Sequence, residues 1–207
     1  MAEKERKIEA YSRILVVEGY GDLLFYAEVL EAVGRDTQVF IKELGGKADL
    51  RRKLETFVTP AILATKEALA FVFDADTRPD ATRGELEALL SRLTGQQVVE
   101  GSWTEGTHRI GLLVVPGGAV PGEIETLVWQ SWGSDPANAA QKDCIEDYVA
   151  CMANQGARAH SPDKGLIGAL LAIKSDEDPR LGPSARTNIF DLARPELTPL
   201  RDFLARF

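Results

Sequence analysis

The sequence predicts an α/β fold: a mostly parallel, doubly wound sheet of about four to five strands, flanked by helices and followed by a C-terminal helical extension. Three observations predict it. Short apolar runs of strand type recur at residues 13–17, 69–73 and 110–115. Helical patterns separate them through residue 130, and this alternation favours parallel strands joined by helical crossovers. From Asp135 onward the pattern changes to helices and a polar, proline-containing stretch.

Each element has a local reason. Arg13 to Val17 reads RILVV, and Glu18-Gly-Tyr-Gly-Asp22 is a turn. Leu23 to Val33 places apolar residues at helical spacing and Gly34 ends it. Gln38 to Leu44 alternates as a second strand, and Gly45-Gly46 breaks the chain. Lys47 to about Ala64 is helical, with Pro60 breaking or kinking it. LAFVF at 69–73 is a third strand running into Asp74-Ala-Asp76. Asp80 or Thr82 caps a helix to about Leu93, Gln97 to Trp103 is strand-like, and 101–108 reads as a loop. IGLLVV at 110–115 is the next strand, followed by a Gly/Pro loop and a helix from Glu123 to Trp132. Pro136–Asn154, Ser161–Ile173 and Thr198–Phe207 are further helices. Residues 1–133 thus form the core and 134–207 an extension packed on it, one globular domain.

Composition narrows the function. A chain of 207 residues has no room for two full enzymatic domains. No run of about 20 apolar residues is present, so no membrane span is expected. The charged start at 1–7 lacks a secretory apolar stretch, and the expected compartment is the cytoplasm. Cys144 and Cys151 lie roughly 10 Å apart along a helix, too far for a disulfide. Two cysteines and two histidines, the latter at His108 and His160 in loops, make no familiar zinc set. Trp103, Trp129 and Trp132 read as core or interface residues. The net charge of −8 works against nonspecific nucleic-acid binding. It is compatible with a nucleic-acid enzyme whose carboxylates hold a metal, because the ion then supplies the positive charge.

The acids fall where such a site belongs. Glu18 follows the first strand, with Asp22 one turn later, and Asp74 and Asp76 follow the third. Glu123 and Glu125 follow the 110–115 strand after a loop. In a parallel sheet, functional groups gather at the carboxyl ends of the strands. In an extended segment, Asp74 and Asp76 would point the same way. Carboxylates so gathered need a cation or a proton. All-oxygen ligands favour Mg2+ or Mn2+. The bland alternative is that these acids serve turns and caps. Lys47, after two glycines at a predicted helix start, is either a phosphate-binding residue or an ordinary surface lysine.

Val17-Glu18-Gly19 and Phe73-Asp74-Ala75-Asp76 resemble the two motifs of the Toprim superfamily over roughly residues 12–130. The chain looks like small standalone Toprim-like proteins and, more distantly, the Toprim domain of OLD-type nucleases. Gly122-Glu-Ile-Glu125 and Ser161-Pro-Asp-Lys164-Gly fit further elements of that pattern. The resemblance implies a Toprim/Rossmann-like fold and one metal near Glu18, Asp74 and Asp76. It implies a second near Asp22, Glu123 and Glu125, and Lys164 as a charge stabiliser. Arg78 stands where topoisomerase-type domains often carry a third aspartate. No second domain delivers a nucleophilic tyrosine, and no Walker A loop is present.

The expected function is Mg2+- or Mn2+-dependent phosphoryl transfer on nucleic acid, most simply phosphodiester hydrolysis by Glu18, Asp74, Asp76 and Lys164. A non-catalytic module that binds a protein partner or a second copy is the alternative. A haloacid-dehalogenase-like phosphatase with Asp74 as nucleophile is a lesser one.

Overall fold

The computed structural model describes residues 8–159, 161–176, 178–187 and 189–207; the charged start at 1–7 and His160 lie outside the described residues. Four strands form: β1 (Arg13–Val17), β2 (Val39–Glu43), β3 (Ala68–Asp74) and β4 (Arg109–Val115). All neighbours pair in parallel in the order β2-β1-β3-β4. The helices are α1 (Tyr20–Ala32), α2 (Leu50–Phe57), α3 (Pro60–Thr65), α4 (Pro79–Thr94), α5 (Ile124–Gly133), α6 (Ala139–Asn154), α7 (Pro162–Lys174), α8 (Leu181–Ala185) and α9 (Thr198–Ala205).

Successive strand side chains point to opposite faces, so each apolar run feeds two layers. Val16, Phe71, Phe73 and Leu112 pack with Leu54 of α2 and Leu86 and Leu90 of α4. Val17, Val72, Leu113 and Val115 face the other side, with Phe25 of α1, Val128 of α5 and Leu170 of α7. Cover on both faces is why the strands are continuously apolar rather than alternating. Each such fully buried side chain contributes about 1.5–3 kcal/mol. α9 closes the same layer. The Trp103 ring lies 5.2 Å from Phe203 and 5.0 Å from Phe207, and its Nε1 donates to the Phe203 carbonyl at 3.1 Å. Trp129 and Trp132 are buried as well and stack at 5.2 Å.

One local expectation is met and two change. The segment expected to be helical at 47–64 and broken or kinked at Pro60 is two helices, because Pro60 starts α3 and Thr59 Oγ1 accepts from the Ile62 N–H at 3.3 Å. Residues 97–103 form no strand and make only isolated bridges, Glu100 to Leu112 and Trp103 to Gly111. Side chains of α4 take the N–H groups a ladder would use: Val98 N–H donates to Ser91 Oγ and Glu100 N–H to Glu87 Oε1. Neither Asp80 nor Thr82 caps α4. Arg78 holds the cap position without a side-chain bond, and Thr82 Oγ1 instead donates to the Ala75 carbonyl. Cys144 and Cys151 are free and exposed on α6. Among the described residues, no helix is long and apolar enough to cross a membrane.

Candidate functional site

The β1–β3 register pairs Val17 with Val72. Continued one step, it sets Glu18 level with Phe73, with Asp74 one residue beyond on the neighbouring strand. Chain connections leave β1 and β3 toward opposite edges of the sheet, which opens a crevice at their carboxyl ends. Both acids sit there.

Each carboxylate is held by its neighbours. Asp22 is the third residue of α1, and its Oδ2 accepts the Gly19 N–H at 2.8 Å. Asp74 Oδ1 accepts the Ile124 N–H at 3.0 Å, which places it at the positive end of α5. The Glu18 carbonyl accepts the Gly46 N–H at 2.7 Å. Gly45 and Gly46 have φ of +73° and +83°, a region that side chains disfavour. This glycine turn delivers Lys47, whose Nζ pairs with Asp76 and lies 3.8 Å from Glu18 Oε2.

Asp76 departs from the sequence expectation. β3 ends at Asp74, and Asp76 takes a left-handed φ of +55°. It exchanges two 2.7 Å backbone bonds with Gly122. The Asp74/Asp76 pair is therefore not an extended-strand pair, although both line the same cleft.

The second group of acids opens α5. Glu123 holds the cap position and is nearly buried. Lys164 Nζ and Ser161 Oγ both donate to its carboxylate. Lys164 Nζ also lies 3.7 Å from Glu125 Oε1. Thr126 Oγ1 accepts the Glu123 N–H at 3.0 Å and donates to Asp163 Oδ2 at 2.5 Å. Ser161, Asp163 and Thr126 thus dock α7 on α5. Sequence reasoning missed all three as site residues. Their signals were present: Thr126 at the third position after a cap, and Ser161 as the cap of α7.

Electrostatics joins the two groups into one field. Burial pushes the Asp74 carboxyl well above its usual range, and repulsion from Asp22, Glu18 and Glu125 adds to it. Burial likewise raises Glu18, against the pull of Lys47, and Asp22, against the Gly19 N–H. It raises Glu125 against the pull of Lys164. Burial alone would lower Lys164, but its bond to Glu123 and the charges of Glu125, Glu123 and Asp74 leave it raised. Tyr26, four residues after Asp22 on α1, is buried beneath this field. Burial and the charges of Asp74, Asp22, Glu125 and Glu18 push its phenol far up. It is a buried neighbour of the acids, not an accessible nucleophile.

Two carboxylate oxygens here, Glu18 Oε2 and Glu125 Oε2, are buried with no hydrogen-bond partner. Buried polar atoms almost always have one. Among the described residues, no three His, Cys, Asp or Glu side chains are grouped to hold an ion as they stand. Lys47 and Lys164 occupy part of the acids instead. The crevice continues into a cleft of about 600 Å³ lined by Glu18, Lys47, Asp74, Asp76 and faces of α2 and α4.

Residues 12–207 match a family model described as "Protein of unknown function (DUF3226)". The chain belongs to that family. No curated protein and no solved structure matches it. All six acids and both lysines of the site lie within the matched span.

Proposed function

We propose that this DUF3226 protein is a Mg2+- or Mn2+-dependent phosphoryl-transfer enzyme of Toprim type acting on nucleic acid, most simply a phosphodiesterase. One observation carries the reading. Glu18 and Glu125 each bury a carboxylate oxygen without a hydrogen-bond partner, inside a cluster whose burial and mutual repulsion call for added positive charge. An all-oxygen donor set fits a hard divalent ion.

Glu18, Asp74 and Asp76 would hold one ion, and Asp22, Glu123 and Glu125 a second. Such an ion polarises a phosphoryl oxygen and makes bound water more acidic. The chain's own groups do the rest. The Ile124 N–H orients Asp74, the Gly19 N–H orients Asp22, and Ser161 orients Glu123. Glu18, whose carboxyl burial raises above its ordinary range, suits a proton-transfer role. Lys164, held charged, stabilises charge that develops on the phosphoryl oxygens.

A second reading has its own observation. Lys47 bridges Asp76 and Glu18, and Lys164 bridges Glu123 and Glu125, as in a non-catalytic scaffold. Purified protein with Mg2+ or Mn2+ and labelled DNA and RNA oligonucleotides separates the two. Metal-dependent cleavage that Glu18→Gln and Asp74→Asn abolish is expected. Cleavage unchanged by both substitutions would remove these residues from the chemistry. Metal uptake without cleavage of any oligonucleotide would favour the scaffold.

A further inference from the structure

The cleft beside the acids runs between α2 and α4, and its walls have a chemistry the metal-dependent reading does not use. Arg78, Thr82, Glu85, Leu86, Leu89 and Arg92 line it from one face of α4. From Thr82 to Arg92 this face extends roughly 15 Å. Leu50, Leu86 and Leu89 make an aliphatic floor, and Arg51, Arg78 and Arg92 stand among them.

Two of these arginines share a single internal partner, and the third has none among the described residues. Arg51 and Arg92 share one oxygen of Glu55, at 3.2 and 2.6 Å, so two guanidiniums meet one carboxylate. Arg78 is exposed and makes no ion pair among the described residues. These walls thus set Arg51, Arg78 and Arg92 against Glu55 and Glu85, an excess of one positive charge beside the acidic crevice of a chain of net charge −8. The cleft volume of about 600 Å³ is that of a site for a small ligand or a short chain segment.

We infer that this cleft is the substrate subsite and that it takes a single-stranded nucleic-acid segment adjoining the reacting phosphate. Ring faces lie on the half-buried Leu50 and Leu89, with the buried Leu86 beneath them. Arg78, with Arg51 and Arg92, takes the flanking phosphates; single strands bind where cations track the backbone and the bases have a face to cover, here an aliphatic face in place of the usual aromatic one. A duplex hides its ring faces in the stack and is excluded. The inference rests on the reading of the acids as a phosphoryl-transfer site.

The probe is a fluorescein-labelled oligodeoxynucleotide of about eight bases, single-stranded or annealed, titrated by anisotropy in Ca2+. A parallel Mn2+ titration by calorimetry reads the acids separately. Arg78→Ala is expected to weaken single-strand binding and lower its salt slope by about 1. Leu89→Glu is expected to weaken binding at least tenfold and Leu89→Met to preserve it, with Mn2+ affinity unchanged in all three. Should Leu89→Glu not fold, Arg78→Ala and its salt slope decide. Wild-type affinity in Arg78→Ala or Leu89→Glu, or a duplex bound as tightly as the single strand, overturns the proposal. Mn2+ uptake without oligonucleotide binding overturns the subsite and leaves the metal reading standing. Oligonucleotide binding that these variants weaken, without Mn2+ uptake, supports the subsite and sinks the metal reading.

Discussion

Replacing Lys47 by methionine should lower the stability of the metal-free protein and raise its affinity for Mn2+. Lys47 Nζ lies 3.8 Å from Glu18 Oε2 and pairs with Asp76. Coulomb's law at 3.8 Å gives about 1 kcal/mol in water and about 4 kcal/mol at an effective dielectric constant of 20. The Lys47 side chain is 39% exposed, so solvent screening favours the lower figure. With the Asp76 contact, roughly 1–2 kcal/mol of pairing is lost. In a domain of this size, that lowers Tm by about 2–4 °C per kcal/mol. A divalent ion entering the wild-type site must first displace the ammonium. Without it, Mn2+ affinity rises by about 5- to 30-fold, the same free energy read as a binding constant. Methionine keeps most of the aliphatic stem, so the change isolates charge. Scanning calorimetry in chelator and isothermal titration with Mn2+ give the two numbers. Unchanged or weaker Mn2+ binding in Lys47→Met would refute the idea that this ammonium stands in for the ion.

Three further expectations follow from the same geometry. Glu18, Asp22, Asp74 and Glu125 all have raised carboxyl values, so the folded chain binds their protons more tightly than the unfolded chain does. Metal-free stability must then fall as pH rises above their ordinary values of 3.8 and 4.5 and through the raised ones. Calorimetry in chelator should show a lower Tm at about pH 7 than at about pH 5, with saturating Mn2+ flattening the slope. A Tm rising over that interval would contradict the mutual repulsion. The lowered values of Glu55 and Asp178 act below 4.5 and 3.8, outside this window. Lys164→Met, which removes the ammonium from Glu123 and Glu125, should reduce kcat by about 10²- to 10³-fold with little change in KM. Steady-state cleavage with wild-type kcat would exclude Lys164 from catalysis. Gly111→Ala would set a Cβ 2.8 Å from the Trp103 ring and 2.9 Å from Phe203, overpacking the seam that closes α9 on the sheet. A loss of about 1–3 kcal/mol is expected in thermal or urea denaturation; a loss near zero would show that Trp103 and Phe203 move freely.

Much of this molecule was legible before its structure. The runs at 13–17, 69–73 and 110–115 announced strands by length and composition, and each became one. Pro60 announced the break between α2 and α3. Parallel strands with acids at their carboxyl ends gathered those acids at one edge, because the βα turns of such a sheet all open on the same side. The structure reversed three local readings. Arg78, not Asp80 or Thr82, holds the cap position of α4. The 97–103 segment gave its Val98 and Glu100 N–H groups to Ser91 and Glu87 instead of to a ladder, and Asp76 left the extended conformation to pair with Gly122.

By itself, the sequence determined the elements and the kind of chemistry gathered at the strand ends. Both follow from short-range rules: side-chain period, run length, caps and glycine turns. Only the tertiary structure decided which charge meets which. Lys164 reaches Glu123 across 41 residues because α7 docks on α5. Lys47 reaches Asp76 because a glycine turn is tied to the Glu18 carbonyl. It also decided that Glu18 and Glu125 bury oxygens without hydrogen-bond partners, and that Arg51 and Arg92 share Glu55 along an apolar slot. Those facts depend on how distant segments cross, and burial at such crossings sets the local dielectric that turns an acidic residue into a site.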